Sequence, residues 1–378
     1  MRIAKALILI VLSLFHTTGN AQDVRTLETK IADLLAQMPV ENNLYRDRLA
    51  EETYLLSSEV LKEICSRVVP PGTADDTKAR FAVESLSKYL SREKPSDRTR
   101  EWEEICISFV DSSNDPFVRA FFIRQLQWIG GDATIEALAS YMDDDFLSSP
   151  VIAAMMQSHP DKAGKTFLEK LGTLDDISRV QAVYAIGDLR VEGASPVLIE
   201  MLAETRNAEM VRSILWSLAR IGSPESYKTL ADKARSSKYS PEPTGATASY
   251  LEFARTLGEN GNTELSNRIC RQLMKKCKSA SQSHYKSSAL IIYADNTSIP
   301  GALPLLTGAM KDPDKNYRMS ALNYAIESGS PAAPWIVELT SARDEEIQAE
   351  LIFLLGALKD KSTVSALIPF LDSPDPRV

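Results

Sequence analysis

An all-α chain, built as an α-solenoid of short antiparallel helix pairs, is predicted by three features of the 378-residue sequence. From Asp115 onward, apolar residues recur at i, i+3, i+4 and i+7 in stretches of helical length. Gly, Pro or polar breaks punctuate those stretches so that a two-helix unit returns every 30 to 35 residues or so, about the size of a known helical repeat. No run alternates apolar and polar residues as a half-buried strand does.

The elements follow in chain order. The first residues, MRIAKALILIVLSLFHTTGNAQ, place Arg2 and Lys5 ahead of an apolar run from Ala6 to Leu12 that continues through Leu14 and Phe15. Small residues Gly19 and Ala21 then suit a signal-peptidase site, so residues 1–21 are expected to be an export signal and the mature chain to be periplasmic or extracellular. The apolar run is far shorter than the roughly 20 residues of a spanning helix, so no membrane span is expected after cleavage.

Residues 22–113 are expected to form an irregular helical N-terminal cap. IADLLAQM, RLAEETYLL, SSEVLKEICSRVV, ADDTKARFAVESLSKYL and DRTREWEEICISFV read as amphipathic helices, separated by Pro39, Pro70-Pro71-Gly72 and Pro95. The end unit of a stack needs such a cap because one face meets water.

Residues 114–378 are expected to be the repeat array. First helices are read at DPFVRAFFIRQLQWIG, DFLSSPVIAAMMQS, DISRVQAVYAIGDL, NAEMVRSILWSLARIG, ATASYLEFARTLGENG, SQSHYKSSALIIYADN, DKNYRMSALNYAIESG and DEEIQAELIFLLGAL, each followed by a second helix, the last of them KSTVSALIPFLD. Gly130, Gly187, Gly222, Gly258 and Gly329 stand where first helices should end in a left-handed residue. Pro160, Pro196, Pro224, Pro300 and Pro331 stand near second-helix starts, where a missing N–H matters little. SSKYSPEPTGAT, from Ser236 to Thr247, reads as a surface loop. The closing DSPDPRV resembles another first-helix opening, so the array is expected to be truncated at Val378.

The units NAEMVRSILWSLARIGSPESYKTLADKA and DISRVQAVYAIGDLRVEGASPVLIEMLAE resemble HEAT repeats of the PBS-lyase-like type. Val118-Arg119, Val211-Arg212 and Tyr317-Arg318 occupy its Val-Arg place, and Ile186-Gly187 and Ile221-Gly222 its Ile-Gly place; SQSHYKSSALIIYADN lacks both. The resemblance implies a curved superhelix with second helices on the concave face and a binding role. The chain is also similar, more weakly, to the N-terminal region of large secreted bacterial proteins in which HEAT repeats precede a keto-disaccharide hydrolase-like domain.

The composition sets limits on partners and chemistry. Acidic residues outnumber basic ones, 51 to 43, for a formal charge of −8, which repels phosphate backbones and makes nucleic acid an unexpected partner. His159 and His284 stand alone at helix boundaries, so neither metal nor cofactor is expected. Asp312, Asp314 and Asn316 have the start of a calcium-loop spacing, but Tyr317 and Asn323 occupy the places of its Gly and Glu, so a turn and helix cap are expected instead. Asp143, Asp144 and Asp145 likewise read as a turn. Cys270 and Cys277 lie about 10 Å apart along one helix, too far to bridge. Cys65 and Cys106 keep two readings, a disulfide or two buried thiols.

Arg268, Arg271, Lys275, Lys276 and Lys278 make one second helix basic, with two readings: an acidic-partner patch, or cations serving the helix dipole. Tyr239 and Tyr250 flank the Pro-rich loop and are expected to be exposed for contact, whereas Trp128, Trp216 and Trp335 are expected in the core. The expected function is a non-catalytic interaction scaffold of an exported protein, binding a protein partner or its own downstream domain on the concave face. The alternative is an accessory region of a secreted carbohydrate-acting enzyme.

Overall fold

The computed structural model describes residues 26–111 and 113–373. The signal peptide expected over residues 1–21, and residues 374–378 of the expected terminal helix opening, lie outside the described residues. Every regular element among the described residues is helical, and none of those helices is long and apolar enough to cross a membrane. The fold is an all-α solenoid of paired helices. It divides into two compact units, the first ending at Ala137 and the second starting at Leu138.

The first unit contains α1 (Leu27–Ala36), α2 (Asn43–Tyr54), α3 (Ser58–Ser66), α4 (Thr77–Leu90), α5 (Asp97–Ser108), α6 (Pro116–Ile129) and the start of α7 (Asp132–Leu138). Its boundary falls one helix pair later than the 113/114 division read from the sequence. Side chains of the cap hold the pair that follows. Glu103 of α5, buried, accepts hydrogen bonds from Gly131 N (2.7 Å), Thr134 N (3.0 Å) and Thr134 Oγ1 (2.7 Å), and so caps α7 from a neighbouring helix.

Cys65 of α3 and Cys106 of α5 are fully buried, each as a free thiol. Burial in an apolar layer pushes both thiols well above their ordinary range. Trp128 departs from expectation. It is 50% exposed, with the Lys88 ammonium 5.8 Å from its ring centre, because α6 turns Leu126 and Ile129 inward and leaves position 128 outside.

The second unit contains α8 (Ser148–Ser158), α9 (Pro160–Lys170), α10 (Asp176–Asp188), α11 (Ser195–Glu204), α12 (Ala208–Ile221), α13 (Tyr227–Ser236) and α14 (Ala246–Glu259). It continues with α15 (Thr263–Lys276), α16 (Ser283–Asp295), α17 (Ile299–Gly308), α18 (Lys315–Glu327), α19 (Ala333–Ser341), α20 (Glu345–Leu358) and α21 (Val364–Leu367). First helices α8, α10, α12, α14, α16, α18 and α20 each pack on the next. The expected last second helix is broken into 3-10 turns around α21, as Pro369 removes a helix donor.

Glycines serve this stacking in two ways. Gly222 (φ +71°) and Gly329 (φ +65°) take the left-handed conformation expected of helix ends. Gly187 and Gly258 instead lie inside α10 and α14. A Cβ on Gly187 would lie 2.6 Å from Ser217 Cα, and one on Gly258 would strike the Asn296 side chain. These two positions allow a neighbouring repeat to approach closely, and Arg190 takes the left-handed turn after α10.

One device recurs at the turns that lead into first helices. Asp115, Asp175, Asp314 and Asp344 accept backbone amides at the helix start. Four residues later a long donor turns back onto carbonyls of the preceding turn: Arg119 to Val110 (3.0 Å), Arg179 to Leu171 (2.9 Å) and Leu174, Arg318 to Asp312 (3.0 Å) and Pro313 (3.3 Å), and Gln348 to Ala342 (2.8 Å). In the first unit Arg80, four residues past Asp76, does the same to Val69 O (2.9 Å). At the Val-Arg place Arg119 and Arg318 thus satisfy carbonyls of the preceding turn, whereas Arg212 reaches forward to Pro243 O at 2.8 Å.

Candidate functional site

The basic stretch singled out in the sequence lies on α15. Ser266, Ile269, Cys270 and Leu273 form its buried stripe, set against α14 and α16. With that stripe inward, the 3.6-residue period turns Arg268, Arg271, Lys275 and Lys276 outward, and all of them are exposed. Arg268 pairs with Glu264 at 3.3 Å, and Arg271 donates to Tyr293 Oη at 2.8 Å with its guanidinium 5.0 Å from that ring's centre. Lys275, Lys276 and the adjacent Lys278 make no ion pair among the described residues and are free to meet a ligand.

The tyrosines fare differently. Tyr239 and Tyr250, expected at the surface, are both buried, at 6% and 0% exposure. Gln272 of α15 explains why: it accepts from Tyr250 Oη at 3.0 Å and donates to Tyr239 Oη at 2.7 Å. Gln282 secures the same loop by donating to Lys238 O (2.9 Å) and Ser240 Oγ (3.2 Å). Glu242 fastens its far end. Burial opposes its charge, yet hydrogen bonds from Ala246 N and from Thr244 N and Oγ1 outweigh burial and hold its carboxyl below the usual range. The Pro-rich segment is thus pinned by polar side chains, and its tyrosines work inward.

Beyond the C-terminal end of α15 the structure opens into a cleft of about 530 Å3 that sequence reading missed. Lys275, Lys278, Asp312 and Asp314 line it together with Met274, Leu305, Ala309 and Tyr317. Lys286 of α16 pairs with Asp312 and lies 4.4 Å from the centre of the Tyr317 ring. Tyr317 Oη meets Met274 Sδ at 3.3 Å. These residues are drawn together from positions up to about forty apart, so no local spacing announces them.

The chemistry of the cleft is that of recognition. Burial, helped by nearby Asp312, pushes the Tyr317 hydroxyl up to about 12, and burial pushes the Cys277 thiol up to about 11, so both stay protonated near neutrality. Asp314 caps α18, accepting from Asn316 N at 3.0 Å and Tyr317 N at 3.4 Å. Asp144 similarly accepts Phe146 N and Leu147 N, and Asp143 accepts Asp175 N at 2.6 Å. The carboxylate clusters are therefore occupied with turns and helix starts. Among the expected core tryptophans, Trp335 is fully buried and bonds Ser330 Oγ at 2.9 Å, while Trp216 is partly buried against Tyr184.

A family model described as HEAT repeats matches residues 164–249, from within α9 into the first turn of α14. Comparison with curated proteins gives no match. The matched span holds Gly187, Gly222 and the Arg179 turn, the features through which one helix pair accepts the next. HEAT arrays are typically non-catalytic and suggest protein interaction.

Proposed function

We propose that this HEAT-repeat protein is a non-catalytic scaffold that holds an acidic protein partner on the exposed face of α15. The reading rests on one observation: in a chain of net charge −8, Arg268, Arg271, Lys275 and Lys276 lie exposed together on one helix, with Lys278 just beyond. The helix dipole accounts for cations in the last turn but not for Arg268 or Arg271, which lie before that turn. A positive patch on an acidic protein steers an acidic partner toward it. The export-signal pattern of residues 1–21 supports a role outside the cytoplasm, with a separate protein or a further domain of the same polypeptide as the partner.

Capture with immobilised protein tests the reading. Wild type should retain a partner that elutes as salt is raised, and a variant with Arg268, Arg271, Lys275 and Lys276 all changed to Glu should retain none of it. Identical retention by both would overturn the proposal.

A further inference from the structure

The inter-repeat turns of the second unit differ in what closes them. Before α10, α18 and α20, the residue four past the helix cap donates to carbonyls of the turn: Arg179, Arg318 and Gln348. Lys286 holds that place in α16, and its ammonium goes to Asp312 on the following turn. The turn before α16 is served instead by Gln282, whose Oε1 accepts Lys278 N at 2.8 Å and Ser279 N at 3.0 Å. Between these two turns lies the 530 Å3 cleft.

Its charge also sets it apart. The cleft at the turn before α12 is lined by Asp176, Arg179, Glu204 and Arg206, and that at the turn before α20 by Lys311, Glu338, Arg343 and Asp344, so each is balanced in sign. By the same count the cleft beside α15 carries one cation more than anions, Lys275, Lys278 and Lys286 against Asp312 and Asp314, and both acids are engaged. Asp312 pairs with Lys286 and accepts Asp314 N at 3.1 Å, while Asp314 accepts the first amides of α18. Lys275 and Lys278 have no ion-pair partner among the described residues, in a cleft also lined by Met274, Leu305 and Tyr317. A Met side chain adapts to an inserted apolar group, and the lysine ammoniums of the same cleft suit carboxylates as point charges.

We propose that this cleft, resting on the reading of α15 as the partner-binding face, takes an acidic peptide segment that carries an apolar side chain. The carboxylates meet Lys275 and Lys278, and the apolar side chain enters over Met274, Leu305 and Tyr317. The shared demand for charge and apolar contact makes this more selective than the helix face alone, since a charge patch by itself chiefly raises the encounter rate.

Gly308 provides a direct test. It lines the cleft, and a Cβ built on it meets nothing within 4 Å, so Gly308→Phe should fill the cleft while leaving the fold and every charge intact. The probe is a fluorescein-labelled peptide of Asp, Glu and Leu, titrated by anisotropy against the full chain. Gly308→Phe, and separately Lys275→Glu with Lys278→Glu, should each weaken binding by about tenfold or more, a shift typical of losing a well-placed contact. Replacing Leu by Ser in the peptide should weaken it comparably. Should Gly308→Phe fail to fold by circular dichroism, the lysine pair and the Ser peptide decide alone.

Undiminished binding by Gly308→Phe, or equal binding of the Ser peptide, would overturn the cleft. If binding were then still lost on changing Arg268 and Lys276 to Glu, the α15 face would stand without it. No binding of the probe to wild type would likewise overturn the cleft, and the capture experiment would judge the helix face independently.

Discussion

The repeats that begin with α16 and α18 are neighbours in one solenoid, and the position four residues past the helix cap is filled differently in each. In α18 the residue is Arg318, 3% exposed, which donates from Nη1 to two turn carbonyls and makes paired contacts of 2.8 Å from Nε and Nη2 to Glu350. In α16 it is Lys286, which makes one ion pair and lies on an aromatic ring. A guanidinium can serve a turn and a carboxylate at once because its donors are fixed in a planar fork, whereas an ammonium is a point charge on a flexible stem. The first arrangement locks two repeats together. The second leaves the turn before α16 without such a clamp, and the cleft beside that turn is where Lys275 and Lys278 gather.

Mutations at the two sites should separate these roles. The largest effect is expected for Arg318→Met, which leaves Glu350 buried without its partner and two carbonyls without a donor; breaking a buried pair of this kind costs about 3–5 kcal/mol, read as a fall in the urea midpoint. Gln348→Ala removes a single neutral hydrogen bond, to Ala342 O, and should cost about 1 kcal/mol. Lys286→Met should cost less than either, about 0–1 kcal/mol, because its partner Asp312 lies near enough to the surface to recover water. Losses of equal size at Arg318 and Lys286 would break the comparison.

A smaller, pH-dependent difference is expected at the helix starts. Asp175 is held below the usual carboxylate range, first by the hydrogen bond from Ser178 N, against the opposing pull of burial. With the folded value depressed, its contribution is present above the unfolded pKa of about 3.9 and is lost as pH falls through the folded one. Asp175→Asn keeps the cap and removes the titration, so its acid-unfolding curve should be shallower than that of wild type below about pH 4, with little change at pH 7. An unchanged acid limb would contradict this.

What was legible in the sequence divides along the same line between local and distant causes. The α15 stripe of Ile269, Cys270 and Leu273, and the caps at Asp115, Asp175 and Asp314, depend on spacing within one helix, and all are where periodicity and capping chemistry put them. Gly187 and Gly258 were misread because glycine serves equally to end a helix and to admit a neighbour. The residues that decide between these, Ser217 and Asn296, lie some thirty to forty positions away. Tyr239 and Tyr250 look exposed beside a Pro-rich loop until Gln272, on the next helix, draws them inward. The cleft is the extreme case, since Lys275, Lys286, Gly308 and Tyr317 acquire meaning only when successive repeats stack.

Hydrogen–deuterium exchange of the full chain, with and without the Asp/Glu/Leu peptide, tests most directly whether binding resides where the clamp is missing. Protection is predicted over residues 268–286 and 305–317, which form the α15 face and the cleft, with no change over 333–358 behind the Arg318 clamp. Protection absent from the first two segments, or spread evenly along the array, would contradict the account.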